Sequence, residues 1–220
     1  MPTRGRREWA AKALHCFLEQ TYADKELIIV DDLYEPSFPV TPRRRNVSHV
    51  FMDSRLIFEK RNYGARIANG DLICHWDSDD WSAPTRISEQ VQHFEEAQNP
   101  FTGNSVVAFD SMLFFHEETK TAYYYVGSPL HGIGTSLCYA KSWWKAHPFS
   151  AGTRKDPNEG EDGDFCKVAR DASQMATRPC DSTMVARMHK GNTSYKNIAD
   201  PTQMEYRPVG LGKIPEGFFL

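Results

Sequence analysis

Within Asp71-Leu-Ile-Cys-His-Trp-Asp-Ser-Asp-Asp-Trp81 a short apolar run stops abruptly in three carboxylates, Asp77, Asp79 and Asp80. Leu72, Ile73, Cys74 and Trp76 read as a buried strand, because the run is too short for a helix and its residues suit a sheet. Carboxylates this close repel one another. They are tolerated at a solvent-facing strand end, and best when a divalent cation that prefers oxygen ligands neutralises them. On an extended chain Asp77 and Asp79 point to the same side, so the spacing alone suits a metal site. The same residues, followed by Ser82-Ala-Pro84, also suit a polar turn and helix cap. A calcium hand is excluded, since its loop needs Gly where Ser82 stands and Glu where Ser88 stands.

The chain has 220 residues, enough for one substantial domain whose core needs no staples. A net charge of −3 gives no overall basic field of the kind that draws nucleic acid or an anionic membrane surface. Cys16, Cys74, Cys138, Cys166 and Cys180 are scattered and form no C-x-x-C pair, so they read as core thiols of a protein in a reducing compartment. No run approaches a membrane span, and the Arg-rich N-terminus has no apolar segment of the signal type. The expectation is a soluble, cytoplasmic protein. Asn46-Val-Ser48 and Asn192-Thr-Ser194 match the glycosylation pattern, which carries little weight without a secretory signal.

Apolar residues at Trp9, Ala13, Leu14, Phe17 and Leu18 predict an amphipathic helix over 8–20, leading into a buried strand over 27–30 that ends in Asp31-Asp32. Pro36, Pro39 and Pro42 break the chain into a loop closed by Arg43-Arg-Arg45, a solvated edge or a contact for an acidic substrate. A strand over 47–52 and a helix over 56–68 precede the Asp71–Trp81 stretch. After it come a helix over 84–97, a strand pair over 106–115 and 121–126, a strand over 135–140 and a short helix over 143–147. A helix over 162–171 and a strand over 183–188 complete the set. The residues after Asp200 are rich in Pro and Gly and predict an irregular tail.

Strands alternating with helices predict a mostly parallel sheet with helices on both faces and a small antiparallel addition. Ligands of such sheets gather at the carboxyl ends of strands. Asp31-Asp32, Asp77 to Asp80 and His189 all fall at such ends, so three sparse polar clusters are expected on one rim.

Five motifs in order carry a resemblance to a known family. They are Pro2-Thr3-Arg4 with Ile28-Ile-Val-Asp-Asp32; Lys60-Arg-Asn-Tyr-Gly64; Trp76-Asp-Ser-Asp-Asp-Trp81; Gly160-Glu-Asp-Gly-Asp-Phe165; and His189-Lys-Gly-Asn192. This order resembles family 2 glycosyltransferases with the GT-A fold, from Pro2 to about Ser194. The resemblance implies a Rossmann-like α/β GT-A domain over 1–200, its nucleotide half near 1–100 and its acceptor half near 101–200, with the tail over 201–220.

It also implies inverting sugar transfer from a nucleotide-diphosphate donor, most simply a UDP-sugar, to an acceptor hydroxyl on a glycan or glycolipid, in the cytoplasm or at the inner face of the membrane. Asp162 matches the family's general base and Glu161 its acceptor-orienting neighbour. Pro2, Thr3, Arg4, Asp32, Arg61 and Asp79 match nucleotide-binding positions, with Asp32 accepting from a pyrimidine imide. Asp79, Asp80, Asp77 and His189 match the metal region, for Mn²⁺ or Mg²⁺. Gly134 and Thr135, with Glu161, fall on the acceptor side, where Trp143 and Trp144 also offer aromatic faces on which a sugar could stack.

Each role has a plainer alternative. Glu159, Glu161, Asp162 and Asp164 suit an acidic helix start, Arg61 a helix surface, His189 a strand end and Trp143 the core. Family members carry a short apolar strand before the Pro-Thr motif, whereas Met1 stands directly before Pro2. Without that strand two sheet edges would be exposed, unless residues upstream of Met1 supply it or another segment fills the gap. Two other functional classes fit less well. A sugar nucleotidyltransferase would want a Gly-rich phosphate loop where Thr3-Arg-Gly-Arg6 stands, and a sugar- or nucleotide-binding module would lack catalysis.

Overall fold

The computed structural model of the chain describes residues 1–38, 44–54, 56–98, 103–152, 156, 160–180, 182–192 and 206–219. Pro39, Pro42, Arg43, Glu159, Thr193, Ser194 and Asp200 lie outside them. Helix α1 (Arg7–Leu18) buries Ala10, Ala13, Cys16 and Phe17, residues that share one side at helical spacing. Strand β1 (Leu27–Asp32) is buried along its whole length and pairs in parallel with β2 (Val47–Met52), from Leu27 opposite Val47 to Asp32 opposite Met52. Then follow α2 (Ile57–Ile67), β3 (Leu72–Cys74), β4 (Trp81–Ser82) and α3 (Arg86–Ala97).

The second half opens with β5 (Val106–His116) and β6 (Thr121–Val126), then β7 (Cys138–Ala140), α4 (Lys141–Ala146) and α5 (Glu161–Asp171). Strands β8 (Met175–Pro179), β9 (Met184–Met188) and β10 (Tyr206–Val209) complete the sheet.

β5 is its axis. Eleven residues long, it gives its first half to β7 and β8 and its second half to β6 and β9, with a register shift between Phe109 and Ser111 where the partners change. β3 joins through β7, β10 through β6 and β4 through β9.

Two core clusters lie against different helices. One gathers Ala65 of α2, Trp144 of α4 and Phe165, Cys166 and Ala169 of α5 against Val106, Ala108 and Tyr139. The other joins Ala10, Ala13 and Phe17 of α1 to Leu27, Ile29, Trp76 and Ile87. The link between them is Arg86, 1 % exposed, whose guanidinium donates to the His75 and Thr135 carbonyls, to Ser82 Oγ and to Gln90 Oε1. It also stacks 4.6 Å from the Trp76 ring. A buried cation is tolerated only when its donors are used, and here they pin α3 to the chain on both sides of the Asp77–Asp80 loop.

The mixed α/β architecture is as expected, with differences of detail. Three pairings are parallel (β1–β2, β5–β8, β5–β9) and five antiparallel (β3–β7, β4–β9, β5–β6, β5–β7, β6–β10), so the sheet leans antiparallel among the described residues. The cause is local: β6 returns by a hairpin, and β7 and β10 run against their neighbours. The strand expected over 135–140 begins as a 3₁₀ turn, Gly134–Ser136, because Ser136 Oγ donates back to the Ile133 carbonyl and accepts from the Phe109 N–H.

β8 is absent from the sequence reading, since Met175-Ala-Thr-Arg-Pro179 alternates too weakly to announce a strand. The tail is ordered rather than irregular over 206–219. Pro208 is tolerated because β10 pairs on one side only, and Ile214 and Phe218 enter a cluster with Leu113, Phe115 and Val185, against which Trp81 packs.

Met1 to Thr3 lie along β1: the terminal amine donates to the Ile28 carbonyl at 2.7 Å, and Val30 N–H to the Met1 carbonyl at 3.0 Å. β1 and β3 share no ladder among the described residues, and a cleft of about 1150 Å³ lies at this gap, lined in part by Ile28, Val30, Gly64, Ile73 and Cys74.

Phe218→Ala removes an aromatic side chain that is 1 % exposed and is expected to cost about 3 kcal/mol, read as a lower urea midpoint at unchanged slope. His93 sits on the buried side of α3, and burial, with Arg178 nearby, lowers its pKa to about 4. A depressed folded pKa contributes stability above the unfolded value of about 6.5, lost as pH falls towards 4. His93→Gln is therefore expected to flatten the decline in urea stability between pH 6.5 and 4.

Candidate active site

The carboxyl end of β1, the Asp77–Asp80 loop, the 3₁₀ turn after Ile133, the start of α5 and the end of β9 surround one cleft of about 620 Å³. At one end stand Pro2, Thr3, Arg4, Glu35 and Lys60 beside Asp32. Asp32 Oδ1 accepts from the N–H groups of Tyr34 and Glu35, both at 3.0 Å, an arrangement that Asp favours after a strand. Its other oxygen lies 3.6 Å from Lys60 Nζ and 3.9 Å from Arg4 Nε. Burial opposes the charge on Asp32, but the two N–H groups and these cations outweigh it and hold the pKa below its usual value.

Lys60 is itself buried and donates to the Thr3 carbonyl at 2.8 Å, while Arg4 is clamped by Glu35. Asp31 is structural. It accepts from the N–H groups of Asp32, Ser37 and Phe38 and meets His49 Nε2 at 3.2 Å.

In the middle of the cleft the three aspartates of one short loop have unlike surroundings. Asp79 is 5 % exposed, and its Oδ2 receives Arg6 at 2.5 Å, His189 Nε2 at 3.1 Å and Asn192 Nδ2 at 3.2 Å. Burial disfavours its charge; His189 and Arg6 prevail, and its pKa is lowered. His189 Nδ1 accepts from the Gly191 N–H at 3.1 Å, which assigns the ring proton to Nε2 and makes the ring a donor to Asp79.

Among the described residues Asp80 forms no ion pair. It accepts from Thr135 Oγ1 at 2.6 Å and from the Arg187 N–H at 2.9 Å, and burial, with Asp79 and Asp77 alongside, pushes its pKa up to about 8. Asp77 Oδ1 is buried without a hydrogen bond and has an ion pair at 3.6 Å to Arg61.

Arg61 crosses from this loop to the opposite wall, where its Nε lies 3.3 Å from Glu161 Oε1. Its own burial disfavours the cation, and Asp77 and Glu161 more than compensate. Gly160, at φ 90° in the left-handed region, turns the chain into α5, so Glu161 and Asp162 enter in its first turn, where the helix dipole suits acids. Glu161 is 4 % exposed; burial raises its pKa to about 7, opposed by Arg61 and reinforced by Asp162. Asp162 is half-buried and faces Gly134 so closely that a methyl group on that glycine would fall 1.7 Å from Asp162 Oδ2. Only glycine lets the two walls meet there.

Pro2, Thr3, Arg4, Lys60, Arg61, Asp77, Asp79, Asp80, Gly134, Thr135, Glu161 and Asp162 thus line one cleft, with Asp32 and His189 behind it. Thr135 reaches it with its hydroxyl already committed to Asp80. Trp143 does not reach it: its ring stacks on His147 at 3.9 Å and packs against the core beside Phe58 and Ile73. The helical position of Trp143 in α4, behind β7, turns the indole inward.

Arg6 and Arg187 are functional candidates absent from the sequence reading. Arg6 was masked by its neighbours in a run of arginines, although basic residues directly after the Pro-Thr pair were the available signal. Arg187 lies in an apolar strand that carries no such signal.

A divalent cation fits the chemistry of this cleft under one condition. Among the described residues no three acid, His or Cys side chains converge as a ligand set by themselves. The Asp77 oxygen, ion-paired to Arg61 but without a hydrogen bond, and the cation-poor Asp80 nevertheless offer hard oxygen donors, and Mg²⁺-type ions commonly take one or two carboxylates plus substrate phosphates.

Known proteins resemble parts of this sequence, and others share its fold. The chain is 38% identical over 94 residues to the Escherichia coli UDP-Glc:alpha-D-GlcNAc-diphosphoundecaprenol beta-1,3-glucosyltransferase WfaP, covering 38% of this chain and 35% of that protein. It is 32% identical over 108 residues to an uncharacterized glycosyltransferase of Haemophilus influenzae, covering 46% and 34%. The chain thus spans about a third of the length of these curated relatives.

Among solved structures, S. aureus TarS 1-349 in complex with UDP superposes with a TM-score of 0.61 at 13% identity over 85% of this chain and 59% of that one. Its complex with UDP-GlcNAc also gives a TM-score of 0.61, over 89% and 60%. The glycosyl transferase family 2 model matches residues 1–168. By that match, and by a mixed α/β fold shared with these glycosyltransferase structures, the chain belongs to glycosyl transferase family 2, with the GT-A architecture.

Proposed function

We propose that this chain transfers a sugar, with inversion, from a nucleotide-diphosphate donor to an acceptor hydroxyl. The observation that carries the reading is that one cleft joins the Asp32 end, the Asp77–Asp80 carboxylates and the Glu161–Asp162 helix start. UDP and UDP-GlcNAc are named with the TarS structures, which supports a UDP-sugar donor here. In this reading Pro2, Thr3 and Arg4 hold the base and ribose, and Asp32 accepts from the base imide. The diphosphate lies over Asp79 and Asp80, within reach of Arg6. Bound there, Mn²⁺ or Mg²⁺ would supply positive charge for the departing diphosphate, held by Asp79, Asp80 or Asp77 together with phosphate oxygens.

The acceptor oxygen attacks the anomeric carbon as the bond from that carbon to the diphosphate oxygen breaks, and the electron pair leaves with the diphosphate. The acceptor proton passes to Asp162, whose carboxylate is half-buried beside Gly134. Glu161, anchored by Arg61, orients the acceptor. The acceptor in the name of the Escherichia coli relative is a sugar on diphosphoundecaprenol, which supports a glycolipid acceptor here. No helix among the described residues is long and apolar enough to cross a membrane.

Asp162→Asn is expected to cut transfer by on the order of 10² to 10⁴-fold while the donor still binds, measured as UDP release with acceptor and as a donor-induced shift in melting temperature. Unchanged turnover would remove Asp162 from the base role. For the other wall, wild-type protein is expected to melt higher with UDP-sugar plus Mn²⁺ than with either alone. Asp79→Asn should lose that joint shift while keeping its unliganded fold by circular dichroism. A joint shift that survives both the substitution and a chelator would overturn the metal assignment.

A further inference from the structure

Cys74 and Cys138 stand directly opposite each other on β3 and β7, with their Sγ atoms 3.2 Å apart. The backbone pattern identifies the kind of pair. His75 N–H donates to the Leu137 carbonyl at 2.7 Å and Lys141 N–H to the Asp71 carbonyl at 2.8 Å, so Leu72–Ala140 and Cys74–Cys138 are the non-hydrogen-bonded positions of this antiparallel ladder. At such positions the Cα atoms come to about 4.5 Å and side chains are closest. That separation falls inside the range of about 4.4–6.8 Å that a disulfide spans without backbone movement.

The remaining thiols lack this arrangement. Cys166 Sγ faces the Gly132 carbonyl and Cys180 Sγ the Thr183 hydroxyl, and Cys16 is buried among α1 contacts.

The two cysteines differ in access. Cys138 is fully buried, whereas Cys74 is half-buried and lines the cleft between the two sheets. The half-buried Cys74 is thus the thiol that an oxidant reaches, and the buried Cys138 stands against it as the resolving thiol.

We propose that Cys74 and Cys138 are a redox-active pair that closes to a cross-strand disulfide with a small disulfide oxidant such as glutathione disulfide. The Cys74 thiolate attacks one sulfur of glutathione disulfide, forming a mixed disulfide and releasing one glutathione thiolate. Cys138, giving up its proton, then attacks Cys74 Sγ, forming the protein disulfide and releasing the second glutathione. The protein loses two electrons and two protons and the oxidant becomes two glutathione thiols.

The site lies where closure can be felt. β3 runs straight into His75, which meets Arg61 and the Gly134 carbonyl, and into Asp77 beyond. A covalent link at this position would tie β3 to β7 just before that loop.

The test is intact mass and non-reducing peptide mapping of the full chain after exposure to glutathione disulfide, with alkylation of the remaining thiols after unfolding. The expected result is loss of two hydrogens, one cross-linked peptide pair joining Cys74 to Cys138, alkylation of Cys16, Cys166 and Cys180, and reversal by dithiothreitol. Cys138→Ala should instead accumulate a stable glutathione adduct on Cys74. Alkylation of both Cys74 and Cys138 after oxidation, a persistent adduct on Cys74 in the wild type, or a disulfide between other cysteines would overturn the proposal. None of these readouts depends on the transferase reading.

Discussion

Four acid side chains, Asp77, Asp79, Asp80 and Glu161, share one poorly solvated cleft, and the charge needed to keep them there governs much of the surrounding structure. Buried carboxylates survive as anions only when paired or fully hydrogen-bonded. Asp79 meets that condition through Arg6 near the N-terminus and through His189 and Asn192 of one turn after β9, two distant parts of the chain. Arg61 serves Asp77 and Glu161 together and so holds the two walls at a set distance. Asp80, left with a hydroxyl and a backbone N–H, favours its protonated form near neutrality. Two adjacent acids of the site are therefore held in opposite states, Asp79 as the anion and Asp80 with its proton favoured.

The scaffold serves this arrangement through β5 and Arg86. β5 carries β9, which ends at His189 and supplies the Arg187 N–H to Asp80, and it carries β7, which anchors β3 ahead of Asp77. Arg86 ties α3 to the carbonyls of His75 and Thr135, so the acidic loop is held from below as well as from its edges. The C-terminal residues continue the same support. Arg187 donates to the Phe218 carbonyl and lies 3.7 Å from the Phe218 ring, while Gly217 packs against Trp81, the residue after Asp80. A segment whose prolines and glycines suggest looseness is thus fastened to the strand and loop that carry Asp80.

Much of this was legible before folding. The strands expected over 27–30, 47–52, 106–115 and 121–126 and the helices expected over 56–68, 84–97 and 162–171 follow from local periodicity and punctuation, which act between near neighbours. The clusters at strand ends were legible too, because three aspartates in four residues have few uses inside a sheet protein. Less legible were features defined by distant partners. β8 exists because β5 offers it an edge, β10 because β6 does, and Trp143 is a core residue because α4 backs onto β7. Arg6, one basic residue among several after the Pro-Thr pair, is singled out only when Asp79 and Gly191 are brought to it.

Sequence alone established the family, the order of the acidic and basic motifs and the rim on which they gather, because those depend on residue type and spacing. It could not say which acid is charged, which hydroxyl is free or which cysteines face each other. Asp79 and Asp80 are adjacent and chemically identical, yet folding lowers the pKa of one and raises that of the other to about 8. Desolvation and the number of cations within reach are properties of the assembled cleft, and neither is written in the side chain itself.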